Sequence, residues 1–258
     1  MFRAINFKLK AWVNKIIGVF GYSIISKNTF NYNIDLTVAE KKILDYVLEN
    51  KLTMGSKDNL AATILAARYV CQNKIIGDFV ECGVWRGGHG IAAALTFELY
   101  KSKNKVICFD TFLGMTQPTD DDFSVYGKIK AISQFTSNSK ESHNEWCFAS
   151  FEEVRENFLR AGVSKENFQL IKGDVTKTLP TMELDTISFL RLDTDWYEST
   201  KIELKYLWPL LSTSGVLIVD DYGHWQGSKK AVDEFFQSEP TILFHAIDYS
   251  SRSGIKIE

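Results

Sequence analysis

Five short apolar runs, Phe79–Val84, Val106–Phe109, Phe168–Ile171, Ile187–Leu192 and Gly215–Val219, alternate with stretches of helical periodicity. Parallel strands cannot be joined by a tight turn, so this alternation demands a parallel sheet with right-handed crossovers. Two further runs, Thr241–Ala246 and Gly254–Ile257, flank a short turn around Tyr249–Ser253 that leaves no room for a helix. They predict a closing antiparallel hairpin. The expected fold is therefore α/β: a doubly wound, Rossmann-like sheet of five parallel strands plus that hairpin.

Ahead of the sheet, Leu36–Val47 has apolar residues at helical spacing behind a Thr37 cap, with Glu40 three residues later. A second helix is predicted over Asp58–Tyr69, with Leu52–Ser56 as the loop between them. These elements form a helical cap, giving an expected division into 1–73 and 74–258. One domain with extensions suits 258 residues. Residues 115–150 form a long polar insertion after the second strand, at an edge where such insertions are lids or substrate loops. Its aromatics Phe123, Tyr126, Phe135, Trp146 and Phe148 either stack on a sugar or cover the domain's own core.

Lys+Arg 30 against Asp+Glu 32 gives a net charge of -2, which argues against the broad basic surface of a nucleic-acid binder. Cys71, Cys82, Cys108 and Cys147 show no CxxC spacing and read as reduced thiols of a cytoplasmic protein. From Met1 to Phe30 the chain carries Arg3, Lys8, Lys10, Lys15 and Lys27 and no acid. The uncharged run that begins at Ile16 and ends at Lys27 is shorter than the roughly 20 residues that span a bilayer. Two readings of residues 1–30 stand: peripheral contact with a membrane or partner, or packing on the chain's own domain or a sister subunit of a homo-oligomer.

The first strand runs into Gly77-Asp78-Phe79-Val80-Glu81-Cys82-Gly83-Val84-Trp85-Arg86-Gly87-Gly88-His89-Gly90 and then into the helix-forming run Ile91–Leu95. Strand, glycine-rich loop and helix together let a ligand approach backbone N–H groups at a helix N-terminus, although glycines also serve simple turns. In an open α/β sheet the ligand lies beyond the carboxyl ends of the strands. All five strands end there in acid: Glu81, Asp110, Asp174, the pair Asp193 and Asp195, and the pair Asp220 and Asp221. So much converging negative charge must be offset by a cation, by ligand donors, or by both.

Asp110 is placed to accept from a ribose diol, or else to cap the turn Thr111-Phe112. Asp174 is either a contact for an adenine amine or a turn residue beside Gly173. The two acid pairs offer hard oxygen ligands at a density that favours Mg²⁺ or a similar ion. His224 follows closely as a base, a substrate contact or a plain loop residue.

The runs Val80–Gly88, Phe109–Met115, Leu192–Thr200 and Val219–Gly223 with Gly227 resemble the macrocin O-methyltransferase family over about residues 52–236. Five parallel strands closed by a hairpin also fit the class I methyltransferase sheet better than a dinucleotide dehydrogenase. The resemblance implies an S-adenosylmethionine-dependent and Mg²⁺-dependent O-methyltransferase that acts on a sugar hydroxyl of a saccharide or small-molecule substrate. It implies metal ligands at Asp193, Asp220 and Asp221, and a base at Asp195 that competes with a role orienting Asp193. It further implies cofactor contacts at Glu81, Gly83, Val84, Trp85, Arg86, Gly87, Gly88, Asp110, Thr111, Phe112, Asp174 and Asp193, with Asp193 and His224 also near the chemistry. The sequence departs from the family at His89, where a small hydroxyl residue is expected, and in the insertion. A catechol-like diol substrate, or a non-catalytic cofactor-binding role in a carbohydrate-assembly complex, are the competing readings.

Overall fold

The computed structural model describes residues 34–258 apart from 128, 241 and 258, together with 13, 15 and 19. The readings of residues 1–30 as a membrane or subunit contact lie outside the described residues, those three positions excepted. Among the described residues no helix is long and apolar enough to cross a membrane. Residues 36–258 form one compact unit. Both helices of the predicted cap therefore belong to the same unit as the sheet, which has no break at residue 73.

Helix α1 spans Val38–Glu49 and begins as the sequence implies: the Glu40 amide donates to Thr37 Oγ1 at 3.3 Å, and the Thr37 amide donates to Glu40 Oε2 at 2.7 Å. Helix α2 spans Lys57–Asn73, with Ser56 Oγ accepting from the Asn59 amide. The remaining elements are β1 Asp78–Cys82, α3 Gly88–Leu99, β2 Val106–Asp110, α4 Ala131–Asn138, α5 Phe151–Arg160, β3 Phe168–Lys172, α6 Val175–Thr178, β4 Ile187–Leu192, α7 Tyr197–Leu207, β5 Leu211–Val219, α8 Gln226–Ser238, β6 His245–Ala246 and β7 Arg252–Ile255.

The sheet has the order β3-β2-β1-β4-β5-β7-β6. The first five strands are parallel, and β7 pairs antiparallel with both β5 and β6. The expected hairpin thus forms, with the second of its strands inserted next to β5. Among the described residues of that run, 242–246, only His245 and Ala246 pair, on the outer edge of the sheet.

Alternate residues of each strand enter separate cores. Phe79 and Phe189 face α1, α2 and α3, whereas Val80, Cys82, Leu190 and Leu192 face the layer that contains Leu204, Leu207 and Val232 of α7 and α8. Strand order reverses at β1, which lies between β2 and β4, so the cleft opens at the carboxyl ends of these strands. Register sets the floor of the cleft. Cys82 pairs with Phe109 on one side and Leu192 on the other, and Leu192 pairs with Val219. The next residues, Gly83, Asp110, Asp193 and Asp220, therefore emerge in one row.

The insertion is docked rather than standing off. The Val125 amide donates to His224 O at 2.8 Å, the Gln226 amide to Phe123 O at 2.9 Å, and its base is closed by Asn144 N to Leu113 O and Met115 N to Trp146 O.

Candidate active site

The glycine loop leaves β1 with Gly83 at φ +80°, and a Cβ there would stand 2.0 Å from the Asp193 carbonyl oxygen. Only glycine lets the β1 and β4 loops approach this closely. Trp85 also has a positive φ of 45°, the kind of backbone strain that clusters at ligand sites. Asp110 braces the loop. Its Oδ2 accepts from the Val84 amide at 2.8 Å and the Trp85 amide at 3.3 Å, and its Oδ1 accepts from the Phe112 amide at 2.7 Å. The turn-capping reading of Asp110 is thus realised, and its carboxylate also reaches the loop on β1. Burial raises its pKa, against the lowering effect of those amides.

Val84, Trp85, Asp110, Thr111, Gly173 and Asp174 line one end of a cavity of about 540 Å³; Asp193, Asp195, Asp220, Asp221 and His224 line the other. Asp174 caps α6, its Oδ1 accepting from the Thr176 amide and hydroxyl. Other expected cofactor contacts are engaged elsewhere. The Arg86 guanidinium bonds Glu153 at 2.7 Å and the Lys51 carbonyl at 2.9 Å. Gly87 is the left-handed N-cap of α3, and Gly88 donates to the Leu52 carbonyl. Phe112 is buried against Phe151, and Glu81 is buried below the loop.

A cation that belongs to the chain itself offsets several of these acids. Arg191, fully buried within β4, pairs directly with Glu81 across the strands and sits on the same face. Its Nη1 donates to Asp193 Oδ2 at 2.7 Å and lies 3.7 Å from Glu81 Oε1, while its Nη2 donates to Asp220 Oδ1 and to His89 Nε2 at 3.2 Å. Burial works against the guanidinium charge, but Asp193, Asp220 and Glu81 outweigh it and raise the Arg191 pKa.

His89 is the acceptor that completes this fork. With Nε2 accepting from Arg191, its Nδ1–H donates to Thr63 Oγ1 at 2.8 Å, and burial and Arg191 hold its pKa well below the ordinary value. Asp220 Oδ1 also accepts from Asn59 Nδ2 and Ser251 Oγ, so this oxygen is committed to the protein.

The carboxylates of Asp193, Asp195 and Asp221 instead present oxygens that all lie within 4.8 Å of one another. Burial raises Asp195 to about 6, against the lowering effect of a hydrogen bond with Asp221, and burial raises Asp193 and Asp221 well above the ordinary carboxylate range, with Asp195 and Asp220 adding to both of those shifts. Three mutually repelling carboxylates at this spacing match the donor set of a hard divalent cation. Asp195 itself has φ +68° and donates its amide to Asp221 Oδ2 at 3.2 Å. Trp146, Trp196 and Trp225 pack edge to face with centroids 5.1 to 6.0 Å apart, and Trp146 and Trp225 line the same cavity as the acids. Trp146 thus covers the domain's own aromatic cluster while lining the cavity. His224 is half-buried, its Nδ1 3.2 Å from the Tyr249 hydroxyl, and burial lowers its pKa.

The family described as macrocin O-methyltransferase (TylF) matches residues 43–249, most of the chain. The chain belongs to the macrocin O-methyltransferase family. It is 34% identical over 167 residues to demethyldecarbamoylnovobiocin O-methyltransferase of Streptomyces niveus, covering 64% of this chain and 60% of that protein. It is 31% identical over 149 residues to mycinamicin III 3''-O-methyltransferase of Micromonospora griseorubida, covering 57% and 55%. The chain therefore spans less than two thirds of the length of these relatives. The structure of the O-methyltransferase NovP superposes with a TM-score of 0.71 at 30% identity, over 80% of this chain and 83% of that one.

For this member of the macrocin O-methyltransferase family, the sequence reading omitted Arg191, Asn59, Thr63 and Glu203. A lone arginine inside the apolar run Ile187–Leu192 was the available signal for the first. Glu203, buried on α7, accepts from the Thr194 hydroxyl at 2.8 Å and so braces the Asp193–Asp195 turn from below. Asn59 and Thr63 carry no local pattern that separates them from ordinary helix-surface residues; only packing brings Asn59 to Asp220 and Thr63 to His89.

Proposed function

We propose that this chain transfers a methyl group from S-adenosylmethionine to a sugar hydroxyl with the help of a bound divalent cation. The observation that carries this reading is the cluster Asp193, Asp195 and Asp221 in the same cavity as the glycine loop and Asp110. A cavity of about 540 Å³ falls within the range of small-molecule sites and suits a nucleoside beside an acceptor. The names of the relatives support a sugar acceptor over a catechol-like diol: one of them, from Streptomyces olivaceus, is 32% identical and named for a rhamnosyl-tetracenomycin C 4'-O-methylation.

When bound, S-adenosylmethionine would supply an activated methyl group, and the cation would supply a Lewis acid that makes a hydroxyl more acidic. Val84, Trp85, Asp110 and Asp174 would hold the cofactor. Asp193 and Asp221 would ligate the cation, the resemblance adds Asp220, and Asp195, the third carboxylate of the cluster, would stand beside it as the base.

The chain's own part is orientation and proton transfer. Asp195, at about 6, is ionised near neutral pH yet basic enough to take the hydroxyl proton. The Trp146, Trp196 and Trp225 cluster would supply an apolar wall beside the acids, and an apolar surround strengthens electrostatic interactions. Arg191 holds Asp193 in place from below.

The test combines calorimetry with methyl transfer to a panel of desmethyl glycosides, with catechol as a control acceptor. Asp193→Asn and Asp221→Asn are expected to lose Mn²⁺ binding, and to lose more activity than the roughly 10–100-fold that outer-shell partners cost, while S-adenosylhomocysteine still binds. Full activity in a strong chelator would refute the cation, and preference for catechol would refute the sugar.

A further inference from the structure

Asp122 lies in the insertion directly after Asp120 and Asp121, yet it is 1% exposed. Its neighbours have ordinary surface partners: Asp120 pairs with Lys130 and Asp121 with Lys230. Asp122 turns inward. Its Oδ2 accepts from the Thr119 amide at 2.7 Å and the Thr119 hydroxyl at 2.8 Å, closing its own turn. Its Oδ1 accepts from the Tyr197 amide at 2.9 Å.

Tyr197 is the first residue of α7 and stands two residues beyond Asp195. The residue at the N-cap position, Trp196, makes no side-chain cap, so this helix is capped by a carboxylate 75 positions away in sequence. A buried anion suits a helix N-terminus, where unpaired amides and the helix dipole favour it. A second tie joins the same turn to the insertion, from Trp196 Nε1 to the Thr116 carbonyl at 3.0 Å. The third wall is α8: a Cβ on Gly227 would stand 1.9 Å from Asp122 Oδ1 and 2.9 Å from the Tyr197 amide. Only a hydrogen atom fits there.

We propose that Asp122 is a positioning residue: through the Tyr197 amide it fixes the left-handed turn at Asp195, so that insertion and acid cluster hold their geometry as one unit. This deepens the proposed function and rests on Asp195 belonging to the reaction centre. The insertion is then a clasp that completes the acid turn rather than a cover added over a finished site.

The experiment compares Asp122→Ala, Gly227→Ala and Asp122→Asn with wild type and with Asp120→Asn as a control. Ligand-free protein is read by near-UV circular dichroism and by limited proteolysis within residues 115–150. The near-UV signal reports the packing of Trp146, Trp196 and Trp225, which come from the insertion, the acid turn and the loop after β5. Asp122→Ala and Gly227→Ala are expected to lose that signal with far-UV dichroism intact, to be cut faster in the insertion, and to lose about 100-fold in kcat, the cost of a small misplacement of reacting groups. S-adenosylhomocysteine affinity stays within about twofold of wild type. Asp122→Asn, whose amide oxygen still accepts from Tyr197, keeps the near-UV signal; Asp120→Asn matches wild type throughout.

Gly227→Ala leaves the carboxylate present but displaced, and carries the test if Asp122→Ala fails to fold. Unchanged near-UV signal and cleavage rate overturn the proposal, as does a loss of S-adenosylhomocysteine affinity as large as the loss of kcat. If the spectra and cleavage shift as expected while wild type methylates no glycoside, the positioning role stands and the proposed function fails.

Discussion

Arg191→Met removes the one guanidinium that the acids share and replaces it with an apolar side chain of similar reach. Asp193, Asp220 and His89 each lose a hydrogen bond, and Glu81 loses the charge 3.7 Å away. Removing one partner of a buried ion pair costs about 3–5 kcal/mol because the other charge is left uncompensated. Against a total stability of about 5–15 kcal/mol this is a large fraction. For a domain of this size about 2–4 °C is lost per kcal/mol, so the variant is expected to melt about 6–20 °C below wild type.

The deficit also has a pH signature. Burial raises Glu81 to about 7 even though Arg191 lowers it, so without the arginine its pKa rises further. Protonated Glu81 needs no counter-charge; its share of the deficit is therefore smallest and constant below about 7 and grows as pH rises above it towards the variant's higher pKa. Differential scanning calorimetry at several pH values, with and without Mg²⁺, measures both effects, and Mg²⁺ is expected to restore part of the loss by supplying positive charge to the same acids. A melting temperature within about 2 °C of wild type at every pH would show that Arg191 does not offset the cluster.

Asp110→Asn replaces an acceptor of loop amides with a donor and leaves buried N–H groups unpaired, at about 1–3 kcal/mol. Calorimetry is expected to find S-adenosylhomocysteine binding weakened about 10- to 100-fold, and unchanged affinity would separate Asp110 from the cofactor. Burial raises Glu203 from 4.5 to about 8, so between these values the folded chain holds a proton that the unfolded chain has released, and stability falls as pH rises. Glu203→Gln removes that dependence: it should melt with wild type near the lower value and above it beyond the upper one. Parallel melting curves across the range would refute the protonated Glu203.

Much of the site was legible because it follows from strand periodicity. Once the runs ending at Cys82, Phe109, Leu192 and Val219 are read as parallel strands, the acids after them must share one edge, and register brings Asp193 and Asp220 level. The capping box at Thr37 and Glu40 and the antiparallel closing strands were equally local and equally readable. Side-chain commitments were not. The sequence reading treats Asp220 as a metal ligand; its Oδ1 is held by Arg191, Asn59 and Ser251, and Asp122, unlike Asp120 and Asp121, is buried.

The sequence by itself determined the sheet, the cleft edge and the residue types that line it, because hydrophobic period and turn chemistry act over a few residues. Only the tertiary structure decided which acids face one another, which cation neutralises them and what the insertion does. Those outcomes depend on partners 26 to 161 positions apart, from Asp195 with Asp221 to Asn59 with Asp220. A carboxylate's role is set by the charges and donors packed against it in a low-dielectric interior, and no local pattern carries that information.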